Sequence, residues 1–155
     1  MAASYQNADY HLYRYSRATI EAIFGETIVR DILATDAFKR LRSIHFLGSI
    51  DYLMSGARTG VEQRHTRFDH SLAVASLAKR FLVAKQVRGG NYEAALTAAL
   101  LHDIGHAPLS HSLEPTFASI FEIDHHVVGE KLLKGEARLG RKLAMVLQRH
   151  GINNF

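Results

Sequence analysis

The chain has 155 residues, 47% of them hydrophobic and 22% charged; that is core enough for one domain and excludes a disordered or low-complexity chain. It contains no cysteine, which excludes disulfides, zinc ribbons and thiol nucleophiles, and no apolar run near the roughly 20 residues that span a membrane. The net charge of +4 favours anionic partners without choosing among nucleotides, nucleic acid and acidic lipid.

Met1 to Tyr15 mixes Tyr, Asn, Asp and Arg and does not read as a signal peptide. Together with the missing cysteines and membrane segment, this gives a cytoplasmic location as the expectation. Ala18 to Ile28 holds two short β-branched runs around Gly25, which predicts a small hairpin or turn. Glu26 or Thr27 starts a helical turn over Ile28, Val29, Ile32 and Leu33. Thr35-Asp36 is an N-cap signal for a helix over Phe38, Leu41, Ile44 and Phe46, stopped at Gly48. Ile50 to Met54 reads as a second strand, and Arg58 to His65 as a loop.

From Arg67 the pattern turns helical, with Leu72, Ala75, Leu77, Ala78, Phe81 and Leu82 forming one buried stripe. Gly89-Gly90-Asn91 breaks it. Tyr92 to Asp103 is apolar almost all round and reads as the central buried helix, stopped by Gly105 and Pro108. Ser110 opens a short helix through Phe121. Asp124 caps another that carries Val127, Val128, Leu132 and Leu133. A last helix runs through Leu139, Leu143, Val146 and Leu147 to Gly151. The expected fold is an all-α helical bundle with a small N-terminal β element, in a single domain over residues 1–155.

Histidine is the compositional outlier, with 10 copies that cluster. The central helix ends in Leu101-His102-Asp103-Ile104-Gly105-His106, which puts polar groups where the pattern wants apolar ones. Burying them unpaired costs a few kcal/mol, and a divalent cation would satisfy them. His70 is the best further ligand, because it lies one turn into the preceding helix. A tight turn between antiparallel helices brings the start of one near the end of the next. A His, His, Asp set suits Mn, Fe, Co, Ni or Zn more than Mg alone.

Two motifs carry a resemblance. Arg67-Phe68-Asp69-His70-Ser71-Leu72 is followed by His102-Asp103-Ile104-Gly105-His106-Ala107-Pro108-Leu109-Ser110-His111. Together they resemble the HD-domain metal-dependent phosphohydrolase superfamily, most of all the branch of deoxynucleoside triphosphate triphosphohydrolases with sterile-alpha-motif and HD domains. Phe38-Lys39-Arg40-Leu41-Arg42 and Leu47-Gly48 also match that branch. The resemblance implies His70, His102 and Asp103 as metal ligands and Arg67 as a phosphate contact. It places His106, His111, Glu114 and His125 in the catalytic pocket, with His126 where the family usually has Glu.

The family's fourth ligand is an aspartate on a later helix, and no Asp follows Asp124 here. The expectation is either a fragment that lacks the C-terminal part of the family fold or a shortened HD domain in which water or His150 completes the coordination. His150 weakly resembles a histidine of the branch that cleaves cyclic dinucleotides, although the Gly-Tyr-Pro signature is absent.

The expected function is hydrolysis of a nucleotide or related phosphoester with a divalent metal, in a monomer or a homo-oligomer. The alternative is a catalytically incomplete HD module that binds metal or nucleotide in a regulatory role. A nucleic-acid-binding domain is the weaker third reading, and no membrane partner is expected. Plainer readings stand beside these. His102-Asp103 could be a buried structural pair, and His106, His111, His125 and His126 surface or capping residues. His11, His45 and His65 read as structural or surface residues, and Lys39, Arg40 and Arg42 as a solvated helix face.

Overall fold

The computed structural model describes residues 25–45 and 66–153. Among them are seven α-helices and short 3-10 turns: α1 (Thr27–Leu33), α2 (Asp36–Lys39), α3 (Arg67–Ala84), α4 (Gly90–Leu101), α5 (Glu114–Phe121), α6 (His125–Leu133) and α7 (Arg141–Arg149). The all-α expectation holds. Most of the expected hairpin and all of the expected second strand lie outside the described residues. The one β feature among those described is an antiparallel bridge between His45 and Thr66.

Thr35 caps α2 as its sequence suggests, accepting a hydrogen bond from the Phe38 amide. The helix expected through Phe46 is shorter, however. It tightens into a 3-10 turn at Arg40–Ser43, and Ile44 is already extended. The cause is tertiary: the Arg67 amide donates to the Ile44 carbonyl at 2.8 Å, which ties the strand-like exit of this segment to the start of α3.

A capping box starts α3. The Thr66 hydroxyl accepts from the Asp69 amide, and the Asp69 carboxylate accepts from the Thr66 amide. That fixes where α3 begins, and so where Arg67 and His70 stand. Leu72, Ala75 and Leu82 are buried, but Leu77 and Phe81 are 66% and 61% exposed. The expected stripe is therefore narrower than its spacing suggested.

α3 packs against α4 as an antiparallel pair. The expectation that α4 is buried all round is also corrected. Leu96, Thr97, Leu100 and Leu101 face the core, while Ala94, Ala95 and Ala98 face outward. Alanine exposes little apolar area, so an Ala-rich face does not demand burial. The core joins these leucines to Ile32, Phe38 and Leu41 and to Leu143 and Leu147 of α7. Phe38 and Phe68 meet edge to face with centroids 5.3 Å apart.

Candidate metal centre

α4 ends at Leu101 and the chain turns at once through residues 102–105. This turn brings His102 and Asp103 to His70 on the first turn of α3. His102 Nε2 lies 3.2 Å from His70 Nε2, and Asp103 Oδ2 lies 3.3 Å and 3.5 Å from those two nitrogens. Ligands about 2.1 Å from a shared cation stand about 3.0 Å apart at octahedral angles and about 3.4 Å at tetrahedral ones. The triangle fits one ion.

Proton placement fits as well. His102 Nδ1 donates to the Ala99 carbonyl at 2.9 Å, which leaves the Nε2 lone pair pointing at the triangle. Without a cation, the hydrogen bond to Asp103 raises the His102 pKa, against the opposing pull of burial. Asp103 is buried, which alone would raise its pKa; hydrogen bonds from His102 and Arg67 hold it well below the usual carboxylate range.

A second group lies one step along the same turn. His106 is 1% exposed and its ring stacks on His125, centroids 4.1 Å apart, with His111 set edge-on to both. One ring nitrogen from each of the three lies within 4.8 Å of the others. Glu114 stands behind them. Its Oε2 accepts from His111 Nδ1 at 2.7 Å, while Oε1 accepts from both Nδ1 and the backbone amide of His125. Burial pushes the Glu114 carboxyl up, but these bonds outweigh it and hold it at about 2. Burial also pushes the His106 imidazole toward its neutral form. Its Nε2 is buried with no hydrogen-bond partner, 3.4 Å from Asp103 Oδ1 and poorly aligned with it. Such an orphaned atom is one that a ligand or an ordered water would satisfy.

Gly105 allows the two groups to share one turn. A Cβ there would come within 1.9 Å of the His125 carbonyl and 2.4 Å of the Gly129 amide. Only a bare backbone lets the N-terminus of α6 lie against the turn, and that contact delivers His125 to His106. Asp124 caps α6 by accepting from the Val127 amide at 2.8 Å. A cleft of about 330 Å³ opens beside both groups, lined by Ala98, Leu101, His102, His125, His126 and Glu130 among others.

The structure thus gathers His70, His102 and Asp103 in one cluster and His106, His111, Glu114 and His125 in the next. His126 borders the cleft with its ring 3.9 Å from that of His125. Arg67, His150 and Arg40 each have a partner that the local sequence does not give. Arg67, expected as a phosphate contact, is only 3% exposed, and its Nη1 bonds Asp103 Oδ2 at 2.6 Å. Its place as the first residue of α3, tied back to Ile44, turns it inward. His150 belongs to neither cluster: it ends α7, where its Nε2 pairs with Asp31 of α1 at 2.8 Å. Arg40, expected on a solvated helix face, instead reaches the carbonyls of Ile104 and His106 with its guanidinium. The signal lay in its neighbours, since Phe38 and Leu41 are both core residues.

The HD-domain family model matches residues 67–154, the stretch that carries both clusters. The chain belongs to the HD-domain family. It is 33% identical over 127 residues to the uncharacterized protein YwfO of Bacillus subtilis, covering 78% of this chain and 27% of that protein. It is 25% identical over 160 residues to the deoxynucleoside triphosphate triphosphohydrolase SAMHD1 homolog of Dictyostelium discoideum, covering 96% of this chain and 29% of that one. With the mouse deoxynucleoside triphosphate triphosphohydrolase SAMHD1 the identity is 38% over 101 residues, 61% of this chain and 14% of the relative. The chain therefore spans less than a third of the length of these relatives. The HD resemblance read from the motifs is borne out. No helix among the described residues is long and apolar enough to cross a membrane.

Proposed function

We propose that the chain carries the metal-dependent phosphohydrolase site of a nucleotide-cleaving or related phosphoesterase. The observation that carries this reading is the near-equilateral His70, His102, Asp103 triangle set one turn from a histidine group braced by Glu114. The triangle's residues would hold a divalent cation such as Mn, Fe, Co, Ni, Zn or Mg. When bound, that ion supplies a Lewis acid for a phosphoryl oxygen and lowers the pKa of water.

The rest is the work of the chain's own side chains. Arg67 fixes the Asp103 carboxylate and offsets its charge. Glu114 accepts hydrogen bonds from Nδ1 of His111 and of His125, which directs the Nε2 atoms of both away from itself. Either ring, when Nε2 also carries a proton, is placed to deliver that proton to a leaving oxygen, a role worth about 10²- to 10⁴-fold in rate. The cleft beside His102, His125 and His126 is large enough for a small phosphoester. Names of the mammalian and Dictyostelium relatives favour deoxynucleoside triphosphates as the first substrates to try.

The test is a phosphoester panel of deoxynucleoside triphosphates, nucleoside monophosphates and a chromogenic aryl phosphate, each with manganese. Turnover that disappears in His102→Ala and falls in His125→Ala supports the reading. Turnover that survives His102→Ala removes it.

One observation favours a second reading, an HD module that holds metal or nucleotide without turnover in a regulatory role. Asp103 Oδ2 already has a buried guanidinium partner in Arg67, so the cluster is a closed ion network before any cation arrives. Metal binding with no turnover on any member of the panel would select it.

A further inference from the structure

Arg40 stands in the 3-10 turn after α2, more than 60 residues before the metal-ligand turn. Its Nη1 donates to the His106 carbonyl at 2.6 Å and its Nη2 to the Ile104 carbonyl at 2.5 Å. Its Nε is buried without a hydrogen-bond partner, and among the described residues the partners of its Nη atoms are these two carbonyls. Burial lowers its pKa, as expected for a cation moved away from water. A partly buried cation held by carbonyls alone is unusual, because removing charge from water is costly unless geometry and hydrogen bonds compensate.

The two carbonyls explain its retention. They lie just past the end of α4, where the backbone leaves helical register and its acceptors need other donors. They also bracket Gly105. The residue before Ile104 is Asp103, of the first cluster, and His106 itself belongs to the second. One planar fork therefore grips the short stretch of backbone from which both clusters are hung. A guanidinium suits this task because its donors are fixed in one plane, whereas a lysine ammonium is a point charge on a flexible stem.

We infer that Arg40 is a positioning residue for the metal-ligand turn, holding Asp103 and His106 in register through the carbonyls of Ile104 and His106. The inference deepens the cation-site reading of His70, His102 and Asp103 and rests on it.

The test uses the whole 155-residue chain as Arg40→Met and Arg40→Lys, with the core variant Leu147→Ala as a stability-matched control. Cobalt(II) is titrated as the probe, reading affinity and the visible absorption band that reports coordination geometry. Amide hydrogen exchange of Gly105 and His106 is followed in the metal-free chain. Arg40→Met should weaken cobalt binding by about 10–100-fold and shift the band, as loss of an orienting partner does, with Arg40→Lys between it and wild type. Exchange at the turn should quicken while α7 keeps its wild-type protection. Leu147→Ala should leave both affinity and band unchanged. Wild-type affinity and band in Arg40→Met, or a loss no greater than in Leu147→Ala, overturns the inference. If wild type binds no cobalt, the cation reading has failed, and the exchange arm then decides alone: unchanged exchange at the turn removes the positioning role. Should Arg40→Met fail to fold, Arg40→Lys takes its place in both measurements. Weaker cobalt binding and faster exchange at the turn then support the role, and wild-type values of both overturn it.

Discussion

The two histidine groups meet at one turn, yet their carboxylates are placed differently. In His70, His102 and Asp103 a carboxylate oxygen sits inside the ring of donor atoms, 3.3 Å and 3.5 Å from the imidazole nitrogens. Negative charge and nitrogen lone pairs converge on one point, an arrangement that could hold a cation. In the group of His106, His111 and His125 the carboxylate of Glu114 stands behind two of the rings, bonded to Nδ1 of His111 and of His125. Its hydrogen bonds to both Nδ1 atoms orient the two rings. The position of the carboxylate, inside the group for Asp103 and behind it for Glu114, is what separates the two roles proposed above.

The largest effect should come from breaking the first group. Asp103→Asn removes the charged ligand and strips the buried Arg67 guanidinium of its carboxylate. Losing one member of a buried ion pair costs about 3–5 kcal/mol. Urea denaturation should show a loss in that range, and metal content should fall to background. A loss under about 1 kcal/mol would mean that Asp103 is not the hub.

Glu114→Gln sharpens the contrast from the other side. Turnover should fall by about 10–100-fold, the usual effect of losing an orienting partner, while metal content stays at the wild-type level. Joint loss of metal and activity would show that the groups are one site. The same variant tests the charge of Glu114 by pH. The folded carboxyl titrates at about 2, below its ordinary 4.5. A depressed folded pKa contributes stability that is present above pH 4.5 and lost as the pH falls through about 2. Thermal unfolding of wild type should therefore weaken across that interval more steeply than that of Glu114→Gln. Parallel curves would contradict the hydrogen bonding seen here.

Gly105→Ala attacks the join between the groups. The added Cβ meets backbone atoms of α6, which cannot rotate away, so the helix must move. Stability should drop by about 1–3 kcal/mol, and turnover should fall more than metal content does, because His125 travels with α6. Smallest of all should be Lys79→Met, far from either group. Lys79 bonds Glu26 at 2.7 Å, and such a partly exposed pair is worth about 1 kcal/mol or less. Metal content and turnover should not change.

Much of this was legible in the sequence because the chemistry breaks local rules. A His-Asp pair at the end of an Ala- and Leu-rich helix conflicts with its own pattern, and that conflict marked the site. The caps at Thr35 and Asp124 were visible for the same local reason. What escaped depended on distant partners. Arg40 looks like one of three surface cations until the turn at 104–106 comes alongside it. Arg67 carries a phosphate-binding residue type, and its bond to Asp103 depends on the turn after α4 coming alongside the start of α3. Leu77 and Phe81 share the spacing of buried residues, and only the placement of α4 decides which side of α3 is covered. The early end of α2 reflects the Ile44–Arg67 hydrogen bond, a pairing between segments that local propensity does not encode.

The most direct test of the central claim is elemental analysis of the purified chain by inductively coupled plasma mass spectrometry, with His102→Ala alongside. A transition metal near one equivalent per chain, absent from the variant, is the predicted result. Equal metal in both proteins, or none in wild type after loading, would contradict the assignment of His70, His102 and Asp103 as a metal centre.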